Sequence, residues 1–488
     1  MKVLFVSNEA VPFAKVGGLA DVAGSLPRAL VGQGVDCRLV MPMHRQCPQI
    51  EQSTPSLPAL SVQSPSKSFS ASVFETTLPG GAVPVYLIKY DPYFDRPTIY
   101  GTETGDYPDS AERFALFARA ALILNHAIGF RADVVHANDW PTGLVPTFEA
   151  VNPHGMPTVF TIHNLAYQGL FPVSTAEAID VSPDSAPMDF LLRAKQINYM
   201  AAAIRSATVI NTVSDRYASE ICTSAYGAGL DDLLRHREND LYGILNGIDY
   251  DEWSPQNPSL PATYSPEDTS GKAKCKAALQ KELGLPHAPD IPLVVSVSRL
   301  VHQKGLDVLA DVLPAALKLP IQFAILGTGD ATTQRRYRAL AQANLRRVVA
   351  RIGFNSEMAR IFYAGADMFV MPSRYEPCGV SQMIAMAHGT IPIVHSTGGL
   401  ADTVSEKDDP QTGFAFSYLA EPDLLGAVKR AVRTYHQTSR WQRIMRNAMA
   451  ADFSWSESAR EYVDLYETAL KLHERRRPRR DPEHPAGR

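Results

Sequence analysis

Residues 1–31 read MKVLFVSNEAVPFAKVGGLADVAGSLPRALV and contain one complete strand–loop–helix unit. The apolar run at residues 3–7 has the length of a buried strand, and residues 19–31 have the apolar spacing of a helix. Two glycines, Gly17 and Gly18, lie where the helix is expected to begin. A buried strand followed directly by a helix predicts the first βα unit of a parallel sheet.

The same alternation continues along most of the chain. Further strands are predicted at residues 133–136, 158–163, 292–298, 321–326, 348–352, 367–371 and 391–394, with helices at 111–127 and 306–317 among those between them. Near-continuous apolar strands that alternate with helices indicate parallel sheets with helices on both faces. The fold class is therefore predicted to be α/β, with two doubly wound, Rossmann-like halves. The Pro-, Ser- and Asn-rich residues 249–292 are interpreted as the junction between the halves.

Length and composition limit the possible classes of protein. The chain has 488 residues, of which 45% are hydrophobic and 20% are charged, and this suits two or three domains with sizeable cores. A net charge of −4 provides no general basic surface, so we expect neither a nucleic acid nor a membrane as partner. The start of the chain resembles no signal peptide, and no apolar stretch approaches the ~20 residues that span a bilayer. Five scattered cysteines suggest no disulfide framework or metal cluster, which favours a cytoplasmic location.

Two segments depart from the regular alternation. Residues 46–84 are rich in Ser and Pro with β-prone patches, and are predicted to elaborate the first half. Residues 475–488 are dominated by Arg and Pro and are predicted to form a disordered tail.

Polar clusters follow several predicted strands of the first half. Residues 15–21 place two glycines at a helix start, where backbone N–H groups and the helix dipole favour an anion. The clusters at residues 136–140 and 161–164 carry groups that can form hydrogen bonds with a sugar. Ligands of open α/β sheets bind at the carboxyl ends of the strands, which makes these clusters candidate binding residues.

The second half repeats this arrangement with charged groups. Arg299 and Lys304 follow its first strand and together could neutralise a diphosphate. A glycine turn at residues 327–330 follows the next strand. A loop with Glu376 could bind sugar hydroxyls, and the glycine pair Gly398-Gly399 resembles that of the first loop. We expect all of these groups to line one interdomain cleft.

Taken together, these segments resemble the bacterial glycogen synthases and plant starch synthases. The resemblance runs in order from residue 1 to about residue 472, and its most specific parts are residues 15–21 and the Glu-Pro-Cys-Gly sequence at 376–379. It implies the GT-B type of glycosyltransferase fold, with two Rossmann-like domains facing across a cleft. It also implies glucosyl transfer with retention of configuration, no catalytic metal and no cofactor.

The resemblance assigns roles by position. Arg299 and Lys304 would stabilise the departing nucleotide diphosphate, Glu376 would hold the glucose hydroxyls, and His163 would lie beside the transferred glucose. The implied substrate-binding residues are Lys15, Gly18, Asp21, Asp139, Asn164, Asn246, Gly327, Gly329, Phe354, Cys378, Gly379, Thr397, Gly398 and Gly399. The chain departs from the family at Ile384, where related retaining transferases often carry a glutamate. It also has His395-Ser396 where many bacterial members carry basic residues.

The expected enzyme transfers glucose from ADP-glucose to the non-reducing end of an α-1,4-glucan such as glycogen. Residues 1–245 would form the acceptor-side domain, 246–455 the donor-side domain, and 456–474 a helix that returns to the first domain. Closure of the two domains on the donor would exclude water.

Several alternatives remain open at this point. The same fold could use UDP-glucose, or could make maltose-1-phosphate from glucose-1-phosphate. A non-catalytic glucan-binding protein is a more remote possibility. A dinucleotide-dependent oxidoreductase is disfavoured because the three-glycine fingerprint is missing.

Overall fold

The computed structural model describes residues 1–47, 55–63, 67–102, 105–152, 155–179, 191–353, 355–407 and 410–476. These residues divide into two compact units. The first unit comprises Met1–Val213, Ala218–Ile244 and the described residues from Trp455 onwards. The second unit comprises Ser214–Tyr217 and Leu245–Ser454.

The first unit is built on a large, mostly parallel sheet. The strands of the first unit are β1 (Lys2–Val6), β2 (Asp36–Pro42), β3 (Leu57–Gln63), β4 (Ser68–Thr77), β5 (Pro84–Lys89), β6 (Gly101–Thr102), β7 (Gly105–Asp106), β8 (Val134–Asn138), β9 (Thr158–Ile162), β10 (Leu170–Pro172), β11 (Leu192–Arg193), β12 (Gln196–Asn198), β13 (Val209–Thr212) and β14 (Leu241–Gly243). The strands β6 and β7 form a separate two-stranded sheet, and β10, β12 and β11 form a three-stranded one. The large sheet has the order β14-β13-β9-β8-β1-β2-β5-β4-β3. Neighbouring strands pair in parallel from β14 to β5. The Ser- and Pro-rich residues 46–84 supply β3 and β4, which extend the sheet antiparallel at one edge.

The second unit contains a sheet whose neighbouring strands all pair in parallel. Its strands are β15 (Leu293–Val297), β16 (Gln322–Gly327), β17 (Val348–Ile352), β18 (Met368–Met371), β19 (Ile391–His395) and β20 (Phe414–Phe416). Their order, β17-β16-β15-β18-β19-β20, is that of a nucleotide-binding doubly wound sheet. The predicted α/β class with two Rossmann-like units is confirmed.

Helices cover the sheets and follow the strands in sequence. They are α1 (Gly18–Gly32), α2 (Asp91–Phe94), α3 (Ser110–Ala127), α4 (Leu144–Val151), α5 (Thr175–Ala178), α6 (Tyr199–Ser206), α7 (Asp215–Ile221), α8 (Asp231–His236), α9 (Ser270–Leu283), α10 (Leu306–Ala316), α11 (Ala331–Ala343), α12 (Ser356–Gly365), α13 (Ser381–Ala387), α14 (Gly398–Thr403), α15 (Glu421–Tyr435), α16 (Thr438–Ala450) and α17 (Trp455–Arg476). The apolar stripe of α1 shows why these segments form amphipathic helices, since Leu19, Val22, Leu26 and Leu30 recur at helical spacing and are all buried.

The C-terminal helix α17 belongs to the core of the first unit. Its Tyr462 and Tyr466 are fully buried in the cluster that contains Phe5 of β1. The Tyr466 hydroxyl lies 2.8 Å from His136 Nδ1, and the Tyr462 hydroxyl accepts a hydrogen bond from Asn211 Nδ2 at 3.1 Å. Burial lowers the pKa of His136 well below its usual value, so this histidine is a neutral core residue. The predicted tail begins at residue 475, but α17 includes residues 475 and 476, and residues 477–488 lie outside the described residues.

The interpretation of residues 249–292 as the junction is wrong. Apart from Ser214–Tyr217, the second unit begins at Leu245, and residues 249–292 lie wholly within it. They contain α9, whose Lys276 forms a buried ion pair with Asp367 at 2.8 Å. The sequence pattern was misleading because α9 carries two lysines, Lys272 and Lys276, on positions that the fold buries, so its apolar periodicity is weak.

Candidate active site

Each large sheet has one point at which its strand order reverses. In the first unit this point lies between β1 and β8, and in the second it lies between β15 and β18. Loops that leave neighbouring strands there turn in opposite directions and form a crevice for ligands. The loops of the predicted residues Lys15, Asp139, Arg299 and Glu376 all follow these four strands.

Lys304 and Glu376 form an ion pair at the reversal point of the second unit. Lys304 Nζ lies 2.6 Å from Glu376 Oε2, and the two side chains are 15% and 6% exposed. The hydroxyl of Ser373 donates a hydrogen bond to the same oxygen at 2.9 Å. An ammonium group has three N–H donors and a carboxylate has a second oxygen, so both partners keep capacity for a ligand. The structure thus brings two of the predicted catalytic residues into direct contact.

Arg299 lies on the same loop, directly after β15. Its side chain is exposed, and its guanidinium has no ion-pair or hydrogen-bond partner within the described ranges. The loop backbone is fixed by bonds to the β16 loop, in which Leu300 N donates to Thr328 O at 2.8 Å and Asp330 N donates to Leu300 O at 2.7 Å. A fixed backbone with a free planar cation suits the binding of a diphosphate.

Gly327 and Gly329 shape this pair of loops. A Cβ atom added at Gly327 would lie 1.9 Å from Ser298 O, and one added at Gly329 would lie 2.4 Å from Leu300 O. Gly329 also has a φ of +151°, which side chains rarely adopt. Both predicted glycines are therefore required for the close approach of the two loop backbones. This packing fixes the backbone of the loop that carries Arg299.

The Glu376 loop packs tightly against the loop after β19. An added Cβ at Gly398, where φ is +45°, would lie 2.0 Å from Glu376 O, and one at Gly399 would lie 2.0 Å from Cys378 O. The Gly399 N–H donates to Glu376 O at 3.1 Å, and the predicted Thr397 is 1% exposed. Gly379, with φ of +71°, places a further tight turn in the same loop. These glycines hold the Glu376 loop in place, and the Gly399 N–H is already used within the protein.

Sequence reasoning missed Ser373 and Arg374, although they immediately precede the predicted glutamate. Arg374 donates to both carboxylate oxygens of Asp307 at 2.7 Å, and its own N–H donates to Gln303 O at 2.8 Å. These bonds join the β18 loop to the β15 loop and to the start of α10. The relative position of Lys304 and Glu376 is therefore over-determined by the surrounding backbone.

Asn246 and Cys378 lie next to each other in the second unit. The Asn246 N–H donates to the Cys378 thiol, and burial raises the pKa of this thiol to about 12. Cys378 is therefore protonated near neutral pH and is no nucleophile there. Asn246 is 8% exposed, and its Oδ1 has no hydrogen-bond partner among the described residues. Phe354, predicted to lie near the base, falls outside the described residues.

In the first unit, Asp139 fixes the backbone of the β9 loop. Its Oδ1 accepts the His163 N–H at 2.8 Å and the Asn164 N–H at 3.5 Å. Burial raises the pKa of Asp139 to about 7, although these two N–H groups act in the opposite direction. Asp139 has a φ of +56° and a ψ of 174°, which is a strained conformation for a residue with a side chain. Such strain persists only where the surroundings impose it, as they do at functional sites.

The ring of His163 is held in one tautomer. Asn138 Nδ2 donates to Val6 O at 3.1 Å, so Asn138 presents its Oδ1 to His163 Nε2 at 3.0 Å. This oxygen requires a proton on Nε2. Burial lowers the pKa of His163 to about 3, and the ring is neutral near pH 7. His163 Nδ1 therefore carries a lone pair that can accept a hydroxyl.

The glycine loop after β1 is open, in contrast to the loop after β19. Lys15 Nζ lies 2.6 Å from Asp21 Oδ1, and both side chains are about half exposed at 53% and 52%. A Cβ added at Gly17 or Gly18 would meet nothing within 4 Å. The N–H groups of the first turn of α1 thus begin at an uncovered position, as the predicted anion contact at Gly18 requires.

Neither a metal site nor a membrane-spanning helix is found in the described part of the chain. There, no group of three or more His, Cys, Asp or Glu side chains is placed to hold a metal ion. None of the described helices combines the length and the apolar character needed to cross a membrane.

Comparison with known proteins identifies the family of the chain. A family model of the starch synthase catalytic domain matches residues 2–236, and one of glycosyl transferases group 1 matches residues 291–435. The glycogen synthase of Syntrophotalea carbinolica is 42% identical over 486 residues, which cover 97% of this chain and all of that protein. The chain belongs to the glycogen synthase family.

Further relatives extend this conclusion to the fold. The glycogen synthase of Geotalea daltonii is 43% identical over 487 residues, covering 96% of this chain and 99% of that protein. The solved catalytic domain of starch synthase IV from Arabidopsis thaliana, bound to ADP and acarbose, is 32% identical and superposes with a TM-score of 0.84 over 96% of this chain and 99% of its own. The predicted family, the GT-B fold and the glycosyltransferase class are confirmed.

Proposed function

We propose that this glycosyltransferase moves glucose from ADP-glucose to the non-reducing end of an α-1,4-glucan, with retention of configuration. The observation that carries the proposal is the Lys304–Glu376 pair at the reversal point of the second sheet. It places a cation suited to a phosphate beside a carboxylate suited to sugar hydroxyls. The ADP bound to the Arabidopsis relative supports adenine as the base of the donor.

Arg299 and Lys304 are proposed to act on the leaving group. When the bond from glucose C1 to the diphosphate breaks, negative charge builds on the leaving oxygen. Cations that are already in place stabilise this charge without reorganising, and such contributions are among the largest in catalysis. The exposed fork of Arg299 can bind two phosphate oxygens, and Lys304 keeps donors beyond the one used by Glu376.

Glu376 and His163 are proposed to hold the transferred glucose. Glu376 Oε2 is occupied by Lys304 and Ser373, so Oε1 is the oxygen left for a sugar hydroxyl. The neutral His163 can accept a hydroxyl at Nδ1 while Asn138 holds Nε2. Asp139 and Asn164 would act on the same side of the sugar. Asn246, whose Oδ1 has no hydrogen-bond partner among the described residues, would line the donor position.

Retention is proposed to follow from attack on the same face of the sugar. The C1–oxygen bond to the diphosphate breaks as the acceptor hydroxyl oxygen bonds to C1, and the acceptor proton passes to the leaving diphosphate. The Cys378 thiol is protonated, and Glu376 is tied to Lys304, so neither is offered as a nucleophile. Trapping of a covalent glucosyl-enzyme would contradict this step.

The two units are proposed to divide the substrates. Residues 1–245 with the helix at 456–474 would serve the acceptor and would also contribute Lys15 and Gly18 to the diphosphate, and residues 246–455 would serve the rest of the donor. The cysteines of the described chain are all free thiols, which supports a reducing, cytoplasmic location.

One assay tests the proposal directly. Purified protein is offered ADP-glucose and UDP-glucose separately, with glycogen as acceptor, and incorporation into polymer is measured. We expect transfer from ADP-glucose to dominate. Faster transfer from UDP-glucose would show that UDP-glucose, and not ADP-glucose, is the donor. Transfer to glucose-1-phosphate in place of glycogen would show that the proposed acceptor is wrong. No transfer from either nucleotide sugar would leave a non-catalytic glucan-binding protein.

A further inference from the structure

A buried carboxylate lies beneath the open glycine loop of the first unit. Glu9 is 2% exposed, and its Oε2 accepts the N–H of Val16 at 2.5 Å and that of Gly17 at 3.0 Å. Its Oε1 accepts the hydroxyl of Tyr100. The hydroxyl of Ser7 donates to the Glu9 carbonyl at 2.7 Å, which fixes the backbone of Glu9 itself. The Glu9 carboxylate therefore accepts hydrogen bonds from two neighbouring loop residues and from a tyrosine distant in sequence.

Packing does not hold this loop in the way it holds its counterpart after β19. There, an added Cβ at Gly398 or Gly399 would strike backbone carbonyls at 2.0 Å, so steric contact alone defines the conformation. At Gly17 and Gly18 an added Cβ meets nothing within 4 Å. The Lys15–Asp21 pair is half exposed, and such pairs contribute little to stability. Backbone bonds from Ala14 N to Ala10 O and from Val11 N to Ala20 O, both at 3.0 Å, hold the flanks of the loop, and the bonds to Glu9 hold the N–H groups of residues 16 and 17.

The same bonds decide which donors the loop can offer to a ligand. The N–H groups of Val16 and Gly17 point at Glu9 and are unavailable. Gly18 begins helix α1, and the first N–H groups of a helix have no partner within it. Within the described part of the chain, the N–H groups of Gly18 and Leu19 are therefore the loop donors without an acceptor, and the helix dipole favours an anion at this position.

We propose that Glu9 is a positioning residue for glucosyl transfer. It holds residues 15–18 so that the Lys15 ammonium and the N–H groups of Gly18 and Leu19 meet the phosphates of the donor. This inference rests on the proposed function, in which a nucleotide-diphosphate sugar is the donor. A carboxylate suits the task because all three neighbouring groups are donors, and a carboxylate only accepts.

Three replacements of Glu9 distinguish the effect of its side-chain length from the effect of its charge. Glu9→Ala removes all three bonds, and kcat/KM for ADP-glucose should fall on the order of 100-fold, as expected for a displacement of about 1 Å. Glu9→Asp keeps the charge but shortens the side chain by about one C–C bond, 1.5 Å, so activity should also fall. Glu9→Gln keeps the length and one oxygen for the N–H groups of Val16 and Gly17, and should retain activity within about fivefold, because both loop bonds persist although they become neutral.

Glu149→Ala is the matched control. Glu149 is 6% exposed, also lies in the first unit, and its Oε2 accepts the Met156 N–H at 2.5 Å, but it is no part of the site. It should lose stability as Glu9→Ala does while kcat/KM per folded molecule stays unchanged. Calorimetry with ADP gives a second readout, in which Glu9→Ala and Glu9→Asp should bind ADP more weakly than Glu149→Ala.

The outcomes distinguish the inference from the proposed function. If the wild-type protein transfers glucose but Glu9→Ala and Glu9→Asp match Glu149→Ala in kcat/KM and ADP affinity, Glu9 is merely structural and the inference is wrong. If Glu9→Ala does not fold, Glu9→Asp against Glu9→Gln decides, and equal activity of the two overturns the inference. If the wild-type protein transfers from no nucleotide sugar and binds no ADP, the proposed function itself fails.

Discussion

Replacement of Lys304 by alanine removes the ammonium group that lies 2.6 Å from Glu376 Oε2. We expect kcat for transfer from ADP-glucose to fall by roughly 100- to 1,000-fold, since one pre-organised group at a developing charge is worth about 3–4 kcal/mol. The KM for glycogen should change little, because the leaving diphosphate and not the acceptor loses its contact.

The same replacement also has a cost in stability. Glu376 is 6% exposed, and Ser373 at 2.9 Å would be its remaining side-chain hydrogen-bond donor among the described residues. Removing one partner of a buried ion pair costs about 3–5 kcal/mol. For a unit of this size each kcal/mol corresponds to roughly 2–4 °C, so the Tm should fall by roughly 6–20 °C. The double variant Lys304→Ala/Glu376→Ala should recover part of this Tm but none of the lost kcat.

A second buried pair in the same unit provides the control. Lys276 and Asp367 lie 2.8 Å apart with side chains 7% and 13% exposed. Asp367 precedes β18, at the end of the sheet opposite to Glu376. Lys276→Ala should lower the Tm to a similar degree and leave kcat per folded molecule unchanged.

The assay measures initial rates of incorporation into glycogen, corrected for folded fraction, together with thermal unfolding of each variant. The leaving-group role of Lys304 is refuted if Lys304→Ala lowers only the affinity for glycogen. It is also refuted if Lys276→Ala loses kcat as severely as Lys304→Ala, since the loss would then reflect stability alone.

Three further predictions concern two loops and the partly buried Asp139. Gly398→Ala should abolish most transfer and lower the Tm, because φ is +45° and the new Cβ would lie 2.0 Å from Glu376 O. Gly17→Ala is the control and should fold normally, because a Cβ at Gly17 meets open space. Ser373→Ala should reduce the free energy of unfolding by about 1–3 kcal/mol, measured in urea, because Glu376 loses a buried bond. Burial raises the pKa of Asp139 to about 7, above the unfolded value of 3.8, so the stability it contributes is complete below pH ~4 and is lost as pH rises through about 7. Asp139→Asn should therefore flatten the fall in unfolding free energy between pH 4 and 7 by a few kcal/mol.

Each of these has a result that would contradict it. Equal Tm and activity of Gly398→Ala and Gly17→Ala would show that the two glycine loops are equally open. A Ser373→Ala protein as stable as the wild type would mean that Lys304 alone satisfies Glu376. If the unfolding free energy of Asp139→Asn fell between pH 4 and 7 as steeply as that of the wild type, another group would have to titrate in this range.

Strongly patterned elements were predictable from sequence almost to the residue. The strand predicted at residues 348–352 is β17, and the helix predicted at 306–317 is α10, which ends at Ala316. Both have clear apolar periodicity or a compact β-branched run. The antiparallel edge formed by β3 and β4 was visible only as β-prone patches, because strand direction depends on pairing with β5 rather than on local sequence.

The site was predictable as residue types but not as contacts. Lys304 and Glu376 are 72 positions apart, and their ion pair follows from the neighbouring positions of β15 and β18 in the sheet. The sequence Gly-Gly-Leu-Ala-Asp occurs at residues 17–21 and 398–402, yet the first glycine pair is open and the second is crowded. Local sequence does not encode how closely another backbone approaches, so the different roles of the two pairs required the fold.

The reversal point of the second sheet is proposed to hold the donor diphosphate. A crystal structure of the full chain with ADP measures this directly. Phosphate oxygens are expected within hydrogen-bonding distance of Lys304 Nζ and the Arg299 guanidinium. ADP bound elsewhere, with both cations turned to solvent and Lys304 still engaged only by Glu376, would contradict this proposal.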